Sequence, residues 1–89
     1  MKAIITVVGN DKVGIIARVS SILADYKINI LDISQTIMDN MFTMIMLTDT
    51  AGCTESFSAV ADRLEAAGNE MGLSIRIQRE DVFNSMHRI

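Results

Sequence analysis

The chain has 89 residues, 49% of them hydrophobic, a formal charge of −3, no proline and no tryptophan. That length permits one core, so residues 1–89 are expected to form a single domain; folding would bury only roughly 60 to 65% of its surface, which favours association with a second copy or a larger partner. An acidic chain whose eight cations are scattered and free of interleaved aromatics lacks the cationic face that nucleic acid requires, and no apolar run approaches the ~20 residues that span a bilayer.

The chain begins "MKAIITVVGND", which has a short apolar run but no cleavage pattern, so a cytoplasmic location is expected. Within it, Lys2 to Val8 is short and β-branched. Both alternating sets, Ala3/Ile5/Val7 and Ile4/Thr6/Val8, are largely apolar, as in a central strand. From Gly14, the positions Ile15, Val19, Ile22, Leu23 and Tyr26 follow helical spacing, with Arg18, Ser21 and Asp25 between them, so a helix is predicted over Gly14 to Lys27. Ile28 to Met38 and Met41 to Asp49 read as strands joined by Asp39-Asn40, two residues that tolerate the left-handed conformation of a tight hairpin.

That turn fixes the hairpin register. Leu31, Ile33, Gln35 and Ile37 are predicted to share a core face with Phe42, Met44 and Met46. Ile30, Asp32, Ser34, Thr36 and Met38 are predicted to share the other face with Met41, Thr43, Ile45 and Leu47. A loop at Thr50 to Thr54 follows and contains Cys53. As the only cysteine, it excludes an internal disulfide and a cysteine-cluster metal site. Phe57, Val60, Ala61, Leu64 and Met71 then recur at helical spacing. Thr54 is the expected N-cap, Glu55 suits the positive helix end, and Gly68 or Gly72 ends the helix. Leu73 to Glu80 alternates as a half-exposed strand, and Asp81–Ile89 forms a tail read as a short helix or turn.

The order βαββαβ plus a tail points to an α+β fold. The economical arrangement is a ferredoxin-like sandwich, a four-stranded antiparallel sheet with two helices on one face and a short C-terminal tail. One sheet face then lacks helical cover, and its apolar residues favour a partner there.

The stretch "VVGNDKVGI", Val7 to Ile15, leads from a strand through a glycine-bracketed loop into a helix. Free backbone N–H groups and a positive dipole end make this place welcoming to an anionic group. Gly9 and Gly14 have the spacing of a nucleotide P-loop, but Ile15 and Ile16 stand where its lysine and hydroxyl belong, and GxGxxG is absent. A zwitterion could be satisfied there, its ammonium by Asp11 and its carboxylate by N–H groups near Gly14 and Ile15. Equally, Asn10 or Asp11 could simply cap the turn.

The sequence "VVGNDKVGIIARVSSILADYKINILDIS" resembles the ACT domain, a βαββαβ module that in many proteins binds amino acids and regulates enzymes or transcription. The likeness rests on the Gly9 to Gly14 loop, the aliphatic helix beginning Gly14-Ile15, and Asn29-Ile30 opening strand two. Together with "NILDISQTIM", "FTMIM" and "MHRI" it extends to small stand-alone ACT proteins of bacteria and archaea and covers essentially the whole chain. The resemblance implies a regulatory, non-catalytic module binding an amino-acid-type ligand at a homodimer or higher homo-oligomer interface, with a possible protein partner. Carried over by position, the site comprises Asn10, Asp11, Lys12, Val13, Gly14 and Ile15 of one subunit with Asn29 and Ile30 of another. Asp11 would contact the ligand, Gly14 would allow its close approach, and Asn29 would reach it across the interface. Val13 stands where the family usually has proline, and Gly9 supplies no side chain.

Other candidates read as structure. The methionines Met38, Met41, Met44 and Met46 crowd one hairpin and are expected to fill gaps in packing, since no cysteine or histidine nearby completes a thioether metal site. His87 alone cannot build a zinc site, and with Arg88 it is expected to tether the tail. Asp32 reads as solvated or bonded to a turn, and Glu65 and Glu70 as solvating charges. No metal, cofactor or catalytic residue is expected. The rivals are a structural interaction module that binds no ligand, and an acylphosphatase-like enzyme, whose loop needs an arginine where this one offers only Lys12.

Overall fold

The computed structural model describes residues 1–10 and 13–86. Its elements are β1 (Lys2–Asn10), α1 (Ile15–Asp25), β2 (Asn29–Met38), β3 (Met41–Asp49), α2 (Phe57–Met71), β4 (Leu73–Arg79) and α3 (Glu80–Met86). The strands form one antiparallel sheet in the order β2-β3-β1-β4. The predicted ferredoxin-like arrangement is therefore present, and β1 is central. The tail supplies α3; its residues His87 to Ile89, with the expected tether at His87 and Arg88, lie outside the described residues.

The core lies between the sheet and α1 and α2. From the sheet come Ala3, Ile5 and Val7, then Phe42, Met44 and Met46, then Leu73, Ile75 and Ile77; from the helices come Ile15, Val19, Ile22 and Leu23 with Val60, Leu64 and Ala67. Each set follows its element's own period, two in the strands and three to four in the helices. Thr48 is also buried, and its hydroxyl is satisfied by donating to the Ala3 carbonyl at 2.8 Å. On the opposite face α3 touches β1 and β4, where the Gln78 amide donates to Met86 Sδ at 3.5 Å.

Three expectations are corrected. The first concerns β2. From Asp32 to Met38 its register is the predicted one, with Met38 opposite Met41, but a bulge between Ile30 and Asp32 places Ile30 opposite buried Thr48. An extra residue in one strand reverses the alternation beyond it. Ile30 therefore packs against the core rather than the open face, and Leu31 is exposed. At the bulge, the Asp32 carboxylate accepts from the Ile33 N–H at 2.9 Å. The core row predicted for β2 is itself not buried: Ile33, Gln35 and Ile37 all remain exposed.

The second concerns helix ends. Ser56, not Thr54, caps α2; its backbone is extended and its Oγ accepts from the Ala59 N–H at 3.1 Å. Gly72 ends the helix in the left-handed region (φ 70°), whereas Gly68 lies buried inside it. The hairpin turn likewise uses one left-handed residue, Asp39 at φ 54°. The third concerns charges. Glu70 is paired with Arg18 of α1, tying the two helices together. Met44 and Met46 fill the core as expected, and Met38 and Met41, predicted on the uncovered face, are exposed, Met38 at 71%.

Candidate functional site

The antiparallel ladder sets what can meet at the end of β1. Gly9 lies between Phe42 of β3 and Leu73 of β4, and Asn10 lies opposite Met41. Gly9 has a packing reason to lack a side chain, since a Cβ there would come within 2.4 Å of Leu73 Cδ2 and 3.3 Å of the Gly72 carbonyl oxygen. Beyond Asn10 the chain reaches α1 through Val13, which is fully exposed, and Gly14. Asp11 and Lys12, the loop's predicted polar contacts, lie outside the described residues.

Gly14 is the N-cap of α1 and adopts φ 91°, ψ 3°, a left-handed conformation that glycine enters without penalty. It offers no side chain to the helix. Its carbonyl accepts from the Arg18 N–H at 2.9 Å, the first turn carries no acid, and no side chain among the described residues caps the amides that follow. The first N–H groups of a helix have no acceptor within it, and here they mark its positive end.

In front of it runs a groove of about 320 Å³ lined by Gly14, Ile15, Ile16 and Ala17 on one side and by Gln35, Ile37 and Phe42 on the other. The walls are apolar except for the Gln35 amide, which makes no hydrogen bond among the described residues. Chemically, the groove offers an anion-friendly end and a hydrophobic floor. Gln35, Ile37, Ile16 and Ala17 were not among the predicted site residues. The hairpin register already placed Gln35 and Ile37 beside Phe42, and only the approach of α1 to β2 was missing.

Of the predicted loop residues, Gly14 and Ile15 line the groove, while Asn10 ends β1 opposite Met41 and Val13 is exposed. The structure does not bring Asn29 and Ile30 to the groove. Asn29 lies opposite Asp49 at the start of β2, while Gly14 shares its groove with Ile37 near the other end; at about 3.3 Å per residue, Asn29 and Ile37 are roughly 26 Å apart. Within one chain, Asn29 cannot touch a small molecule held at Gly14.

The ACT domain family model matches residues 2–78. The chain belongs to the ACT domain family. A UPF0237 protein of Clostridium acetobutylicum is 64% identical over 89 residues, all of both chains. Among solved structures, an ACT domain protein from Streptococcus pneumoniae superposes with a TM-score of 0.81 at 43% identity, covering 93% of each chain. A putative glycine cleavage system transcriptional repressor shares the fold, with a TM-score of 0.72 at 23% identity, over 86% of this chain and 44% of its own length. ACT domains are generally regulatory ligand-binding modules.

Two further features bear on chemistry. Among the described residues, no group of three or more His, Cys, Asp or Glu side chains could hold a metal ion. No helix among them is long and apolar enough to cross a membrane.

Proposed function

We propose that this ACT domain protein is a non-catalytic regulatory module, a single domain over residues 1–89, that binds an amino-acid-type ligand between two copies of itself in the cytoplasm. One copy supplies Asn10 to Ile15; Asn29 and Ile30 of the partner subunit supply the rest. The observation that carries this reading is the groove at the N-terminal end of α1, which offers helix-end amides to a carboxylate and Ile15, Ile37 and Phe42 to an aliphatic body. Asp11 is assigned the ligand's ammonium group, which completes a zwitterion site.

A feature of β2 supports the reading of a second copy. This strand lies at an edge, its exposed apolar residues, Leu31, Ile33, Ile37 and Met38, face both sides, and such edges are commonly covered by pairing. Antiparallel pairing of β2 with its own copy sets the start of one strand beside the end of the other. Asn29 of the partner subunit then lies near Ile37 and the loop, which a single chain cannot achieve. The module acts on another protein by shifting its conformation or assembly when ligand binds.

Isothermal titration of the folded protein against the common amino acids tests the reading. Heat with one or a few of them, lost in Gly14→Val and reduced in Asn29→Ala, is the expected result. No heat with any of them would leave the rival reading, an interaction module without a ligand, which the exposed apolar residues of β2 also support.

A further inference from the structure

The sheet has two free edges of opposite character. At β2 the inner face is uncovered, with Ile33 and Ile37 exposed. At β4 it is finished, since Leu73, Ile75 and Ile77 are buried beneath α2. The fold is thus complete on the β4 side, where any added chain would be reversible company rather than part of the core.

The backbone of the β4 edge is undistorted. Its ladder with β1 is regular from Leu73 to Arg79, without the bulge that distorts β2, and the chain has no proline to interrupt it. Of the devices that blunt an edge, bulges, prolines and charges among them, β4 carries only the charges of Arg76 and Arg79, which leave its backbone groups able to pair with a chain of matching charge. Along this edge lies a polar groove of about 310 Å³, bounded by Glu65 and Asn69 of α2 and by Leu73 to Arg76. Arg76 lies opposite Thr6, off the buried row and on the open side of the sheet, while Glu65 overlooks the edge from the helix side. Neither charge is ion-paired among the described residues.

We propose that the free edge of β4 docks an extended segment of a partner protein, with basic side chains toward Glu65 and acidic ones toward Arg76. Successive residues of a strand point to opposite faces, so an added strand meets Glu65 with one set of side chains and Arg76 with the other. Its backbone supplies the affinity through the unpaired edge groups, and the alternating charges set its phase. The site is independent of the α1 groove, so a protein that failed to bind any amino acid could still bind here.

A fluorescein-labelled peptide of alternating lysine and glutamate is a suitable probe, read by anisotropy and by amide hydrogen exchange. Saturable binding is expected, with exchange slowed over residues 73–79 and unchanged over 29–38. Only every other peptide N–H points at the protein edge, so N-methylating alternate residues in one phase abolishes binding and in the other phase preserves it. Glu65→Lys, at an exposed position, weakens binding about threefold to fivefold, as one surface charge contact allows, with an unchanged circular dichroism spectrum. Absent binding, equal binding by both methylated phases, or protection at 29–38 would overturn the proposal. So would protection of 73–79 that grows with protein concentration alone, because the edge would then belong to a second copy.

Discussion

Gly68 decides how closely α2 approaches the sheet, and replacing it with alanine sets two effects against each other. In an exposed helix interior, glycine to alanine is stabilising by roughly 0.5–1 kcal/mol. Gly68 is buried, and a Cβ there would sit 2.7 Å from the Leu73 carbonyl oxygen, 3.1 Å from Ile75 Cγ1 and 3.4 Å from the Ile75 nitrogen. Two of those three neighbours are backbone atoms of β4, held in register by Gly9 and Val7 of β1, and cannot rotate aside. The helix must back away from a packed face, and overpacking of this kind costs about 1–3 kcal/mol. The net expectation for Gly68→Ala is a loss of about 1–2 kcal/mol. In urea unfolding followed by circular dichroism at fixed protein concentration, the midpoint falls by roughly 1 M, given a slope of about 1–1.5 kcal/mol/M for a chain this small, and the slope is unchanged. Ala66→Gly, on the exposed side of the same helix, loses about 1 kcal/mol by propensity alone and calibrates the comparison. A Gly68→Ala protein as stable as the parent, or more so, would refute the close approach.

Gly14→Ala meets no atom within 4 Å but forces an L side chain to φ +91°; thermal unfolding should show a loss of about 1–2 kcal/mol, with the helix otherwise intact. Ser56→Ala removes the α2 cap and should cost about 1 kcal/mol by urea titration, while Thr54→Ala stays within about 0.5 kcal/mol. Equal losses in the two would mean the cap is misassigned. Ile37→Asp alters a side chain already 52% exposed, so the fold should persist while sedimentation velocity reports a shift toward monomer; an unchanged profile would remove β2 as the self-association edge.

Much of this architecture was legible because each element announces its own period. The bounds of β3, Met41 to Asp49, and the hairpin register beyond the bulge follow from the turn, which only Asp, Asn or Gly makes cheaply. The bulge was not legible: Ile30 and Leu31 are both aliphatic, so the pattern reads the same whichever of them faces inward. The cap of α2 was ambiguous for a similar reason, since Thr54 and Ser56 offer the same hydroxyl and only the backbone shows which one meets an amide. The predicted loop residues split likewise. Gly14 could be placed from its role at a helix start, whereas the groove depends on how α1 lies across the sheet, a long-range fact that no local pattern carries. The separation of Asn29 from that loop follows from strand direction alone and was available in the predicted topology.

That separation links ligand binding to assembly. If the site holds Gly14 of one subunit and Asn29 of its partner, a monomer presents only half of it, and the ligand binds the dimer better than the monomer. Linkage then requires the reverse effect, in which ligand strengthens the dimer by the same factor that dimerisation strengthens ligand binding. A ligand at one hundred times its dissociation constant stabilises each occupied site by about 2.7 kcal/mol, so two symmetric sites would tighten the dimer by several orders of magnitude. The β2 edge, whose inner row is exposed in a lone chain, is the element this equilibrium would cover or uncover. The β4 edge, with its core already closed, would stay available in both states. An amino acid would thereby set how many copies of the β4 edge a partner meets at once, and paired edges bind a bivalent partner more tightly than single ones without any change in the contact itself.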